Sequence, residues 1–175
     1  MDLGIAGCRA VVTAGTAGFG RACAAALIAE GVRVTICGSD TRRAAVVGEE
    51  LGAEAVAVDL TDPQAAGEFV AQAHRRMGGL DILVANGPGP AAGRAADLHV
   101  DDARAAVETS LLPVVAMCQA ALPGMRAQGW GRIVAITSLG TSSAVSNLGS
   151  SNTARAGVTG YLRTLAREVA GEGAR

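Results

Sequence analysis

The stretch Arg9-Ala10-Val11-Val12-Thr13-Ala14-Gly15-Thr16-Ala17-Gly18-Phe19-Gly20 decides how this chain is read. Arg9–Thr13 reads as a short strand, and the alanine-rich Gly18–Glu30 as a helix. The glycines between them let the backbone turn tightly and approach a phosphate closely. The first N–H groups of the following helix present positive potential to such an anion. A glycine-rich turn in this strand–turn–helix setting is a dinucleotide-binding signature; the alternative is a plain turn.

The same alternation runs outward from this unit. Val32–Cys37, Ala55–Val58, Ile82–Ala85 and Arg132–Thr137 read as strands. Thr41–Leu51, Asp62–Met77, Asp101–Gln128 and residues 149–170 read as helices. Pro113 and Pro123 fall inside the third of these and are expected to kink or divide it. Strands alternating with helices predict βαβ units with right-handed crossovers. The fold class is therefore α/β: a Rossmann-like, doubly wound parallel sheet in the order 3-2-1-4-5, helices on both faces, one domain over residues 1–175. Ligands of such sheets lie beyond the carboxyl ends of the strands, where the winding reverses. Thr13-Ala14-Gly15, Cys37-Gly38-Ser39, Asp59-Leu60, Asn86-Gly87 and Thr137-Ser138 all fall on that rim.

Composition excludes several classes. The net charge is −1, and only Phe19, Phe69, Trp130 and Tyr161 are aromatic, so neither a basic footprint nor a stacking platform for nucleic acid is present. Cys8, Cys23, Cys37 and Cys118 form no C-x-x-C pair and have no metal-ligand spacing, so they read as reduced thiols and no metal is expected. His74 and His99 read as surface residues. No run of about eighteen apolar residues is apparent, so no membrane span is expected. The start, Met1-Asp2-Leu3-Gly4, lacks a signal peptide's basic and apolar regions, and the expected location is the cytoplasm.

The motifs together resemble the short-chain dehydrogenase/reductase family, nearest to its 3-oxoacyl-[acyl-carrier-protein] reductases. Thr13–Gly20 resembles the family's T-G-x-x-x-G-x-G loop, with Ala14 in place of the first glycine. Asp59-Leu60 resembles the pair that lies at the adenine, and Ile82–Gly87 is similar to L-V-N-N-A-G with the second asparagine kept as Asn86. Gly131–Ser138 is similar to G-R-I-V-N-I-S-S, and Leu165-Ala166-Arg167-Glu168 matches the helix after the active site. The resemblance implies a nicotinamide cofactor held by Thr13, Gly15, Thr16, Gly18, Phe19, Ser39, Arg42, Asp59, Leu60, Asn86, Gly87 and Arg155. Gly38 stands where family members preferring NAD(H) carry Asp, and Ser39 where many preferring NADP(H) carry Arg. Arg42 and Arg43 could form a fork on a 2′-phosphate, or be a solvated helical turn. The reading favours NADP(H), against which Asp40 weighs.

The catalytic positions depart from the family. Its serine is kept as Ser138, but Ser151 stands at the tyrosine acid and Arg155 at the lysine. A serine hydroxyl is a far weaker acid than a phenol, and a guanidinium does not give up its proton. Ser110 aligns with the asparagine that supports the family's water relay. Tyr161, ten residues after Ser151, is expected to pack in the core or an interface. Two functions stay open. One is reduction of a carbonyl, or oxidation of the corresponding alcohol, with impaired or altered acid catalysis by Ser138, Ser151 and Arg155. The other is an inactive dinucleotide-binding or oligomerisation subunit, with helices 101–128 and 149–170 forming a homo-oligomer. The family continues beyond Glu168 with a strand, a substrate lid and a last strand. Ending at Arg175, the sequence is expected to lack that lid and to leave strand five as an edge.

Overall fold

Residues 2–143 and 145–174 are described by a computed structural model of the chain. Five strands, β1 (Arg9–Val12), β2 (Arg33–Gly38), β3 (Glu54–Ala57), β4 (Ile82–Ala85) and β5 (Arg132–Ala135), pair in parallel. Their order is β3-β2-β1-β4-β5, as the alternation of elements predicts. Helices α1 (Gly18–Ala29) and α2 (Thr41–Leu51) cover one face; α3 (Pro63–Met77), α5 (Leu112–Ala127) and α6 (Gly149–Val169) cover the other. Helix α4 (Val100–Ser110) packs on α6.

The sheet has two cores because strand side chains alternate. Ala10, Val12, Ile82 and Val84 bury towards α1 and α2. Val11, Leu83 and Ala85 bury towards α3, α5 and α6 with Phe69, Met117 and Met125. Caps fix the helix limits. Asp40 accepts the Arg43 N–H at 2.7 Å and Asp62 accepts the Gln64 N–H at 2.8 Å, starting α2 and α3. Gly52 and Gly78 end them at φ +66° and +72°.

The helix read over Asp101–Gln128, with a kink or division expected at its prolines, is divided at Leu111 into α4 and α5. Pro113 lies in the first turn of α5, where a missing N–H costs nothing, while Pro123 sits inside α5 without ending it. Two other expectations need correction. The combined stretch Val100–Ala127 is long and apolar enough to cross a membrane, contrary to the sequence reading. Here that apolarity is used in the core, where α5 buries Val114, Met117, Cys118, Ala121, Leu122 and Met125. His74 is half-buried: a Cβ added to Gly124 would meet its ring at 2.1 Å, so α3 and α5 approach closely there.

β5 is an edge, with Val134 53% exposed. Residues just before it bridge to Ala174, and the Gly131 N–H donates to the Gly173 carbonyl at 3.3 Å.

At the end of the sheet opposite the rim, Asp81 joins β1 and β4. Its Oδ2 accepts the Arg9 backbone N–H and Nε, each at 2.7 Å, and its Oδ1 accepts Arg9 NH2 at 2.7 Å and Gln128 Nε2 at 3.0 Å. The Arg9 hydrogen bond holds the Asp81 carboxyl below its ordinary range despite burial. A depressed folded-state pKa gives stability that is full above the unfolded value and lost as pH falls through the folded one. Asp81→Asn should therefore cost about 2 kcal/mol at neutral pH. It should also flatten the loss of stability below about pH 4, measured by urea unfolding across pH.

Candidate functional site

Thr13 ends β1 and is fully buried. Its hydroxyl donates to the Asn86 carbonyl at 2.6 Å and accepts the Asn86 N–H at 2.8 Å, tying the β1 turn to the β4 turn. The side chain thus supports the rim from beneath and does not line the cleft. Gly15 is also committed, its N–H donating to the Cys37 carbonyl at 2.8 Å. A Cβ there would meet Ile36 at 2.8 Å. Gly20 passes directly under the turn: a Cβ would lie 2.2 Å from the Ala14 carbonyl oxygen. Ala14, in place of a glycine, adopts φ +47°, a left-handed conformation that strains a residue with a Cβ. No side chain caps α1, so its first N–H groups remain open towards the rim.

Over this turn lies a cleft of about 480 Å³. Thr16, Gly18, Phe19, Ser39, Asp59, Leu60, Asn86 and Gly87 line it, and Phe19 is 79% exposed. Arg43, and not Arg42, is the arginine on the wall; Arg42 is exposed elsewhere on the first turn of α2. Asp40 is spent on capping that helix. Gly38 abuts Thr16, whose Oγ1 would lie 2.4 Å from a Cβ, so an acid does not fit there without a shift. Asp59 accepts the hydroxyl and N–H of Thr61, at 2.7 and 2.9 Å, which holds its carboxyl below the usual range. Thr61 and Pro88 line both this cleft and a second groove of about 460 Å³ under the loop 88–94, which also takes in Asp102, Thr109 and Ser150. Thr61 was not singled out from sequence, although Asp59-Leu60-Thr61 has the pattern of an Asx turn.

Ser138 caps a short turn of 3₁₀ helix, its Oγ accepting the Gly140 N–H at 3.1 Å, and among the described residues its own proton has no acceptor. Arg155 is half-buried and donates from NH1 to the Ile136 carbonyl at 2.8 Å. Burial lowers its pKa from the ordinary guanidinium value. Among the described residues no carboxylate lies within 4.0 Å of it. Ser151 is different: it is 7% exposed and lines neither the cleft nor the groove. The loop after β4 closes over this part of α6, with Gly93 N–H donating to Asn147 at 2.8 Å and Gly149 N–H donating to Gly93 at 3.0 Å. Tyr161 packs against the core, and burial raises its pKa, the opposite of what an acid catalyst needs. Burial also pushes the Cys118 thiol up to about 12. These 175 residues contain one tyrosine and no lysine, so no phenol–ammonium pair exists in them.

The short chain dehydrogenase profile matches residues 9–175. The chain belongs to the short-chain dehydrogenase family. It is 32% identical to a 3-oxoacyl-[acyl-carrier-protein] reductase of Vibrio harveyi over 94% of this chain and 68% of that protein. It is 34% identical to a dehydrogenase/reductase SDR family member 7B of Danio rerio over 74% of this chain and 45% of that protein. A short-chain dehydrogenase from Streptomyces avermitilis superposes with a TM-score of 0.88 at 27% identity, covering 97% of this chain and 63% of that one. The chain thus spans about half to two thirds of the length of these relatives.

The turn makes a clear prediction. Gly20→Ala should destabilise by more than about 1 kcal/mol, because backbone must move. Ala14→Gly should be neutral or stabilising within about 1 kcal/mol, strain relief opposing the entropy of a new glycine. Chemical unfolding of the two variants checks both.

Proposed function

We propose that the 175 residues act as one dinucleotide-binding domain of an NADP(H)-dependent oxidoreductase, which reduces a carbonyl or oxidises the corresponding alcohol. The observation that carries this reading is the cleft at the strand ends, built from the glycine turn, Ser39 and Arg43, Asp59–Thr61 and Asn86–Pro88. The uncapped start of α1 and the close passage of Gly20 beneath the turn suit a pyrophosphate. A 3-oxoacyl thioester is the proposed substrate class, supported by the similarity to the Vibrio harveyi reductase.

NADP(H) preference is proposed from Gly38, Ser39 and Arg43. No acid stands at position 38 to repel a 2′-phosphate, and Arg43 offers it a charged donor on the cleft wall. When bound, the nicotinamide supplies the hydride. The chain orients the substrate: Ser138 donates its free proton to the carbonyl oxygen, and Arg155 keeps donors for ribose hydroxyls and the developing oxyanion. Ser151 is left out of this scheme because it is buried, so water delivers the proton. Lacking a positioned acid costs about 10²–10⁴ in rate. Orientation can still supply roughly 7–11 kcal/mol of barrier reduction.

A second reading has support in Tyr161, turned into the core, and in the absence of any lysine: a subunit that binds dinucleotide without turnover. Its faces α4–α5 and α6 would then serve a homo-oligomer. The two readings separate in an assay of NADPH oxidation with a panel of 3-oxoacyl thioesters and simple ketones. The first predicts slow turnover that Arg155→Ala lowers about 10–100-fold, while Ser151→Ala changes it less than about twofold. Bound dinucleotide with no turnover on any carbonyl would favour the second. Arg43→Ala should weaken NADPH about 10–100-fold and leave NADH unchanged. Equal loss for both cofactors would remove the 2′-phosphate role.

A further inference from the structure

Ser138 is carried by the segment between Ile136 and Val145, and α6 holds that segment at both ends. Arg155 NH1 donates to the Ile136 carbonyl at 2.8 Å, just before the serine. One turn earlier on the helix, the half-buried Asn152 donates from Nδ2 to the Val145 carbonyl at 3.2 Å, beyond the serine. Helical residues three apart share a face, so the two side chains bracket Ser138. The oxygen end of the Asn152 amide meets Gly140. Its Oδ1 is sealed from solvent and has no hydrogen-bond partner among the described residues. A Cβ on Gly140 would lie 1.8 Å from that oxygen and 2.7 Å from Cγ, so the amide fills the space a side chain at 140 would take.

Gly140 is also the residue whose N–H donates to Ser138 Oγ, at 3.1 Å. The Thr141 N–H and hydroxyl both donate to the Ser138 carbonyl, at 3.1 and 2.8 Å, so the turn and the serine form one hydrogen-bonded piece. What fixes Gly140 therefore fixes the Ser138 hydroxyl. A carboxamide suits the task because it carries donors on one side and an acceptor on the other. Asn152 itself lines neither the cleft nor the groove under the loop 88–94, so it reaches no ligand placed in them. We propose that Asn152 is a positioning residue, which sets the place of the Ser138 hydroxyl through Gly140 and Val145 and touches neither substrate nor cofactor. The role rests on the oxidoreductase reading, in which Ser138 donates to the carbonyl.

A double-mutant cycle on turnover, with calorimetric titration of NADPH beside it, tests the role. Asn152→Ala should lower kcat about tenfold and change NADPH affinity less than about twofold. Ser138→Ala should cost about 100-fold in the wild type but less than about tenfold in the Asn152→Ala background, where the hydroxyl is already misplaced. Gly140→Ala, whose methyl displaces the amide, should reproduce the loss in kcat and add little to Asn152→Ala, which vacates the space. It is also the second variant should Asn152→Ala not fold. Additive losses from Ser138→Ala and Asn152→Ala overturn the proposal, as does wild-type turnover in Gly140→Ala. A fall in NADPH affinity as large as the fall in kcat also overturns it, because that is the mark of general disruption. Absence of turnover in the wild type is a different failure: it removes the oxidoreductase reading, and the positioning role falls with it.

Discussion

The hydroxyl of Thr13 binds both backbone groups of Asn86, and the rim depends on that bridge. β1 and β4 are neighbours at the point where the sheet's winding reverses, so the two turns that follow them must diverge to opposite faces. A fully buried side chain with both its donor and its acceptor satisfied fixes how far they part. The glycine turn then folds back over Gly20, and Gly15 locks it to β2 through the Cys37 carbonyl. The cleft is the space these bonds leave between turns. Its shape follows from backbone constraints more than from the side chains that line it.

The other half of the rim is built where the loop after β4 meets the start of α6. The segment Gly93–Ala95 settles over the start of α6, where a Cβ on Gly149 would lie 2.9 Å from Ala95. Ser151, two residues further along α6, is 7% exposed. Arg155, one turn further on, keeps a place beside the cleft, where it shares a wall with Asn86, Gly87 and Ser110. A guanidinium there cannot tune a neighbour by giving up a proton, but it can hold oxygen atoms and anions.

Much of the fold was legible because its signals are local. β4 and α2 have the limits read from sequence: an apolar run between polar turns for one, an aspartate cap and a closing glycine for the other. The prolines of the segment 101–128 signalled a kink or a division, but not which of them makes it: Pro113 begins a new helix after Leu111, whereas Pro123 is carried inside α5. Within the site, the rim residues were legible from their place after each strand. Which of Arg42 and Arg43 meets the cleft was not, since successive helical residues point about 100° apart and the start set by Asp40 decides the matter. The isolation of Ser110, whose Oγ has no hydrogen-bond partner among the described residues, was out of reach for another reason: segments distant in the chain surround it.

The central claim is that the rim binds a dinucleotide. Calorimetric titration of NADPH, and separately NADH, into the purified, folded chain tests it most directly. The account predicts one site per chain with micromolar affinity, tighter for NADPH. Absence of binding by either nucleotide to protein shown to be folded would contradict it.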